Sequence, residues 1–119
     1  MNRANELRRV MHAISGIRVE DYDVDFALRI IETILVELNI SPELFTSLGR
    51  TREASEARFI AVYLIKKNTE LKLKPIAKLI GNRDHSTVLY CFDTAKDLLE
   101  TNKVFAEKLK IVERKLKEQ

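Results

Sequence analysis

Apolar side chains recur along almost the whole chain at intervals of three and four residues, and no long run alternates with the period of two that a half-buried strand requires. The spacing predicts an all-α fold, a helical bundle. Its strongest instance is the stripe Val24, Leu28, Ile31, Leu35 and Leu38, with Phe26, Ile30, Ile34 and Val36 widening the apolar surface, so a helix from Asp23 to about Asn39 should be covered on more than one side. Before it, Leu7, Val10, Met11 and Ile14 mark a first helix that ends near Gly16, completing an N-terminal helical pair. After it, Ser41-Pro42 reads as an N-cap followed by proline at the first helical position, opening a short helix to Leu48 that stops at Gly49. Arg50 to Glu53 forms a connection. A long helix should run from about Ala54 to Asn68 with Ala57, Ile60, Ala61, Leu64 and Ile65 inward. Pro75 opens a short helix that Gly81-Asn82 breaks, Asp84 caps the next with Val88, Phe92, Ala95 and Leu99 inward, and Asn102 caps a last one carrying Phe105, Leu109, Val112 and Leu116. Tyr63 and Tyr90 fall among core residues.

At 119 residues the chain is long enough for one domain with a real core, and that core must be held by packing, because Cys91 is the only cysteine. With only His12 and His85 beside it, no structural zinc set exists. The stretch Val24 to Leu38 is interrupted by Asp25, Arg29, Glu32 and Glu37 and is too short to span a membrane, and Met1 is followed by polar residues rather than a signal peptide, so a cytoplasmic location is expected. Charge is uneven. Between Arg50 and Arg83 lie 9 basic residues and 3 acidic ones, against a net charge of +3 for the whole chain. A local excess of that kind suits a polyanion, although a solvated face would also account for it.

A helix of under two turns, a break containing glycine and a capped second helix form the pattern of a helix-turn-helix. The second helix begins Asp84-His85-Ser86-Thr87, short or hydrogen-bonding side chains where such motifs present residues to base edges in the major groove. Enzymatic alternatives find little. His85 and Cys91, six residues apart on one helix, point about 120° away from each other, and Asp84 suits an N-cap better than a general base. No nucleophile has both a base and an orienting partner, and no metal or cofactor is expected.

The string PIAKLIGNRDHSTVLYC from Pro75 to Cys91, with EARFIAVYLIKKNTELKL ahead of it, resembles the C-terminal DNA-binding domain of DnaA, the bacterial chromosomal replication initiator, with its Gly-Gly-Arg-Asp-His-Thr-Thr-Val-like signature. The likeness runs from about Phe26 to the C-terminus and is densest from Arg58 to Cys91. It implies double-stranded DNA as the partner, with Asp84, His85, Ser86 and Thr87 on the base-reading turn and Cys91 where the family has an alanine facing a thymine methyl. It also implies Arg83 at a phosphate-side position, Arg50 as a basic-loop arginine entering the minor groove, and Arg58 and Lys66 at backbone-contacting positions. Phe59 replaces a usual Gln, Asn82 the second Gly and Ser86 a Thr. The resemblance divides the chain into an N-terminal helical extension, residues 1–40, and a DnaA-like helix-turn-helix domain, residues 41–119. No G-x-x-x-x-G-K-[ST] loop is present, so neither nucleotide binding nor ATP-driven origin melting is expected, and the initial Met favours a small complete protein over an excised fragment.

The resulting expectation is sequence-preferring duplex binding in replication initiation or its regulation. Two alternatives differ in kind: an interaction or oligomerisation module, with the Val24 to Leu38 stripe as a homodimer seam, and a TrpR-like transcriptional regulator gated by a small molecule.

Overall fold

A computed structural model describes residues 22–119, and within them the chain is helical with no strand. The helices are α1 (Tyr22–Glu37), α2 (Pro42–Thr46), α3 (Arg52–Asn68), α4 (Leu73–Leu79), α5 (His85–Thr101) and α6 (Lys103–Lys117). The expected first helix from Leu7 to Gly16, and with it His12, lies outside the described residues. Helix α3 packs between α1 and α5, α6 closes against both of those, and α4 lies on α5. Along α1, Val24, Leu28, Ile31 and Leu35 are buried, as are Ile30 and Ile34 on its other side. The stripe considered as a subunit seam is therefore used inside the chain, and α1 shares one core with the helices that follow residue 40.

Local chemistry accounts for the helix ends. Asn39 takes the left-handed conformation at φ 55°, and the Ile40 amide reaches back to the Leu35 carbonyl at 3.0 Å, closing α1 with its own last carbonyls satisfied. Ser41 caps α2 through its hydroxyl, which accepts from the Leu44 amide at 3.1 Å. Asn102 serves twice, its amide closing α5 on Leu98 and its side chain accepting from the Phe105 amide at 3.0 Å.

Three boundaries differ from the spacing-based ones. Helix α2 ends at Thr46 rather than Leu48, because the Leu44 carbonyl accepts the Ser47 hydroxyl and both it and the Phe45 carbonyl accept from Arg58. Helix α3 starts at Arg52 rather than Ala54, because Thr51 caps it by accepting from the Ala54 amide at 3.3 Å. Helix α4 starts at Leu73, with Pro75 at its third position, where a missing N–H is still of no consequence. A partly buried ion pair, Lys108 to Glu56 at 2.8 Å, ties α6 to α3. Among the described residues no helix is long and apolar enough to cross a membrane, and no group of three or more His, Cys, Asp or Glu could hold a metal ion.

Candidate nucleic-acid interface

The break between α4 and α5 is built from two residues with positive φ, Gly81 at 108° and Asn82 at 56°. The Arg83 amide then reaches back to the Ala77 carbonyl at 3.0 Å, which turns the chain sharply onto α5. Asp84 stands at the N-cap with one carboxylate oxygen accepting three bonds: the Thr87 amide at 2.9 Å, the Ser86 hydroxyl at 2.6 Å and the Thr87 hydroxyl at 3.1 Å. These bonds, the Ser86 hydroxyl foremost, hold the Asp84 carboxyl below its ordinary pKa, so the cap is ionised at neutral pH. Both hydroxyl protons point back at Asp84, which leaves the lone pairs of Ser86 and Thr87 as their outward hydrogen-bonding capacity. His85 and Ser86 are exposed, and Thr87 is half-buried.

Tyr90 departs from its expected place in the core. It is 63% exposed, one turn beyond Ser86 on the outer face of α5, with the edge of its ring against Phe59 at 6.0 Å between centroids. Cys91 beside it is buried, so the position likened to a methyl-facing alanine lies behind the surface row. Burial pushes its thiol up to about 11 despite the opposing charges of Arg58 and Arg83, which keeps it protonated at neutral pH.

Arg58 has a task that sequence reading missed. Only 5% exposed, it donates from Nε to the Phe45 carbonyl at 2.7 Å, from Nη1 to Gly49 at 2.8 Å, and from Nη2 to Leu44 at 3.1 Å and Ser47 at 2.8 Å. One guanidinium thus binds four carbonyls in the segment leading to Arg50. Burial and the neighbouring Arg83 charge lower the Arg58 pKa from its ordinary value. Arg83 donates to the Ser47 carbonyl as well, and to Ile80 at 3.3 Å, so the α2–α3 connection and the α4–α5 turn meet on a shared acceptor. Gly81 fits flush against that connection: a Cβ there would stand 2.3 Å from the Thr46 carbonyl oxygen.

These contacts bring Arg50, Arg58, Arg83, Ser86, Thr87 and Cys91 around one open cleft of about 520 Å³, completed by Ser55, Phe59 and Tyr90. Asp84, His85 and Arg83 border a second cleft of about 560 Å³, with Lys74, Lys78 and Asn82 on its other side. The turn that starts α5 therefore lines two clefts that carry cationic side chains, with Arg83 common to both. Lys66 lines neither. It sits over the Phe92 ring at 5.2 Å, with Lys96 over the same ring at 4.9 Å, extending the positive surface along α5. Lys74 and Lys78 are separated by one helical turn on the first helix of the motif, a spacing that could have singled them out, and Tyr90, about 200° round α5 from Val88, is set away from the inner face by the same periodicity.

A family model described as the bacterial DnaA protein helix-turn-helix matches residues 28–94. Curated relatives that bear the name chromosomal replication initiator protein DnaA include that of Bacteroides thetaiotaomicron, 30% identical over 98% of this chain and 25% of the relative. That of Gloeobacter violaceus is 42% identical over 54% of this chain and 14% of the relative. That of Thermus thermophilus is 36% identical over 64% of this chain and 17% of the relative. The chain spans a quarter or less of the length of these relatives.

Proposed function

Because the chain belongs to the bacterial DnaA helix-turn-helix family, a DNA-binding module, we propose that it binds double-stranded DNA with a preference for particular sequences and acts in replication initiation or its regulation. The observation that carries this reading is the joining of the α5 turn and the Arg50 connection around one cationic cleft through the Ser47 carbonyl. Two recognition arms held at a set separation suit a duplex, whose grooves alternate at a set separation too.

In this reading α5 enters the major groove by its first turn. His85 donates from one ring nitrogen and accepts at the other. Ser86 and Thr87, their protons directed at Asp84, accept from base amino groups, and the Thr87 methyl meets a thymine. Arg50 reaches the neighbouring minor groove, while Arg83 and Lys66 approach phosphates. Arg58 supports Arg50 by ordering the connection, and Cys91 backs the reading row from beneath. The curated relatives' name, chromosomal replication initiator, supports the replication context.

The test is a salt titration of binding to duplexes selected from a random pool, against scrambled duplexes. Affinity should fall linearly on a log-log scale, and Arg50→Ala and Lys66→Ala should each flatten the slope by about one counterion. Equal affinity for selected and scrambled duplexes would remove sequence preference, and unchanged slopes in both variants would remove these cations from the interface.

A further inference from the structure

Leu48 is the most exposed large apolar side chain among the described residues, at 80%, yet it stands on a firmly held turn. The carbonyl before it, on Ser47, accepts from Arg58 at 2.8 Å and from Arg83. The carbonyl after it, on Gly49, accepts from the other terminal nitrogen of Arg58 at 2.8 Å. The turn is closed across Leu48 by the Gly49 amide, which donates to the Ser47 hydroxyl at 3.1 Å. The peptide before Leu48 and the peptide after Gly49 are thereby held by a single guanidinium and the one between them by the Ser47 hydroxyl, so the side chain is displayed outward with little backbone freedom left to lose on binding.

Its surroundings narrow what it can meet. Arg50 and Arg52 follow directly, both exposed, and Arg83 ties the same turn to the start of α5. Protein-docking surfaces present contiguous apolar area. Of the other strongly exposed large apolar side chains, Tyr22 and Val104 belong to the starts of α1 and α6 and Tyr90 to the outer face of α5 with its ring against Phe59, so the turn itself carries one apolar projection in a cationic setting. Duplex DNA meets both requirements at once, with phosphates for the arginines and a stack of apolar base faces that a side chain can part.

The geometry points to Leu48 as an apolar wedge that enters the minor groove beside Arg50, partly unstacks one base step and bends the duplex away from the protein's minor-groove arm. This rests on the DNA-binding reading above. The ordering by Arg58 is what makes the wedge effective, because a floppy leucine would give up on insertion much of what it gained from contact.

The test uses the tightest duplex selected from a random pool, with 2-aminopurine placed at successive positions and a donor–acceptor dye pair at its ends. Wild-type protein should raise 2-aminopurine fluorescence several-fold at one step beside the minor-groove contact and shorten the end-to-end distance. Leu48→Ala should abolish both signals and weaken binding about fivefold, while Leu48→Met, still long and apolar, should retain them. Thermal melting of both variants should match wild type, since the side chain is outside the core. Equal fluorescence and bending for wild type and Leu48→Ala, with duplex bound in both, overturns the wedge and leaves the DNA reading standing. Failure of the wild type to bind any selected duplex overturns the DNA reading and the wedge with it.

Discussion

The turn that opens α5 and the turn that carries Leu48 and Arg50 lie at the same cleft, but they are held by different means. Asp84 organises the first with bonds to residues two and three positions away. The second has one local bond, the Gly49 amide on the Ser47 hydroxyl, and otherwise depends on donors that lie between 9 and 36 residues distant, on α3 and on the α4–α5 break. A locally capped turn can form as soon as its helix does. A turn held from afar exists only once α2, α3 and the helix-turn-helix have docked, so its geometry should vanish with the tertiary fold while the cap outlasts it.

The comparison is broken most severely by Arg58→Met, which keeps an aliphatic stem and deletes the donors for four carbonyls. Urea unfolding should show a loss of about 3 to 5 kcal/mol, and Arg58→Lys should recover little of it because an ammonium cannot reproduce the planar fork. A loss below about 1 kcal/mol would mean that water satisfies those carbonyls and that the two turns do not differ as described. Next comes Gly81→Ala, which places a methyl 2.3 Å from the Thr46 oxygen at a φ of 108°. It should cost roughly 2 to 3 kcal/mol and loosen both turns at once, which hydrogen exchange at the Arg83 and Gly49 amides would register.

His85→Ala sharpens the contrast from the other side. His85 is exposed, so its loss should leave the melting temperature alone and cost roughly 1 to 3 kcal/mol of discrimination between selected and scrambled duplexes. A lower melting temperature with unchanged discrimination would make it a packing residue. The smallest effect concerns pH. Hydrogen bonds depress the Asp84 carboxyl in the folded protein, so its stabilisation is complete above the ordinary carboxylate range and disappears as pH falls through the depressed value. The melting-temperature gap between wild type and Asp84→Ala should accordingly be open at neutral pH and close in strong acid. A gap that persists there would show that the cap does not depend on ionisation.

Much of this was legible from the residue order. The all-α class, the inward faces of α3 and α6, and the caps at Ser41, Asp84 and Asn102 follow from periodicity and from side chains within four positions of the backbone they serve. So did the Gly81-Asn82 break, because only residues tolerant of positive φ can occupy it. The misplaced boundaries at Leu48 and Ala54 lie where a distant donor or an uncounted cap competes with the local signal, as Arg58 does at the end of α2 and Thr51 at the start of α3.

The outer row of α5 was decided by periodicity and packing together. Tyr90 and Cys91 are adjacent and both apolar enough for a core; their helical positions relative to Val88 set them on different sides, and the packing of α3, with Phe59 against Tyr90, leaves the tyrosine at the surface and buries the cysteine. Arg58 is the sharpest case. Its charge counted toward a polyanion surface when read along the chain, yet its guanidinium faces inward because folding gathers around it four carbonyls from a segment 9 to 14 residues earlier. The sequence by itself determined which helices form and where the turns between them must fall, since those depend on bonds that close within a few residues. Which cation becomes scaffold and which stays free at the surface depends on acceptors brought together only by folding, and so the tertiary structure alone decided it.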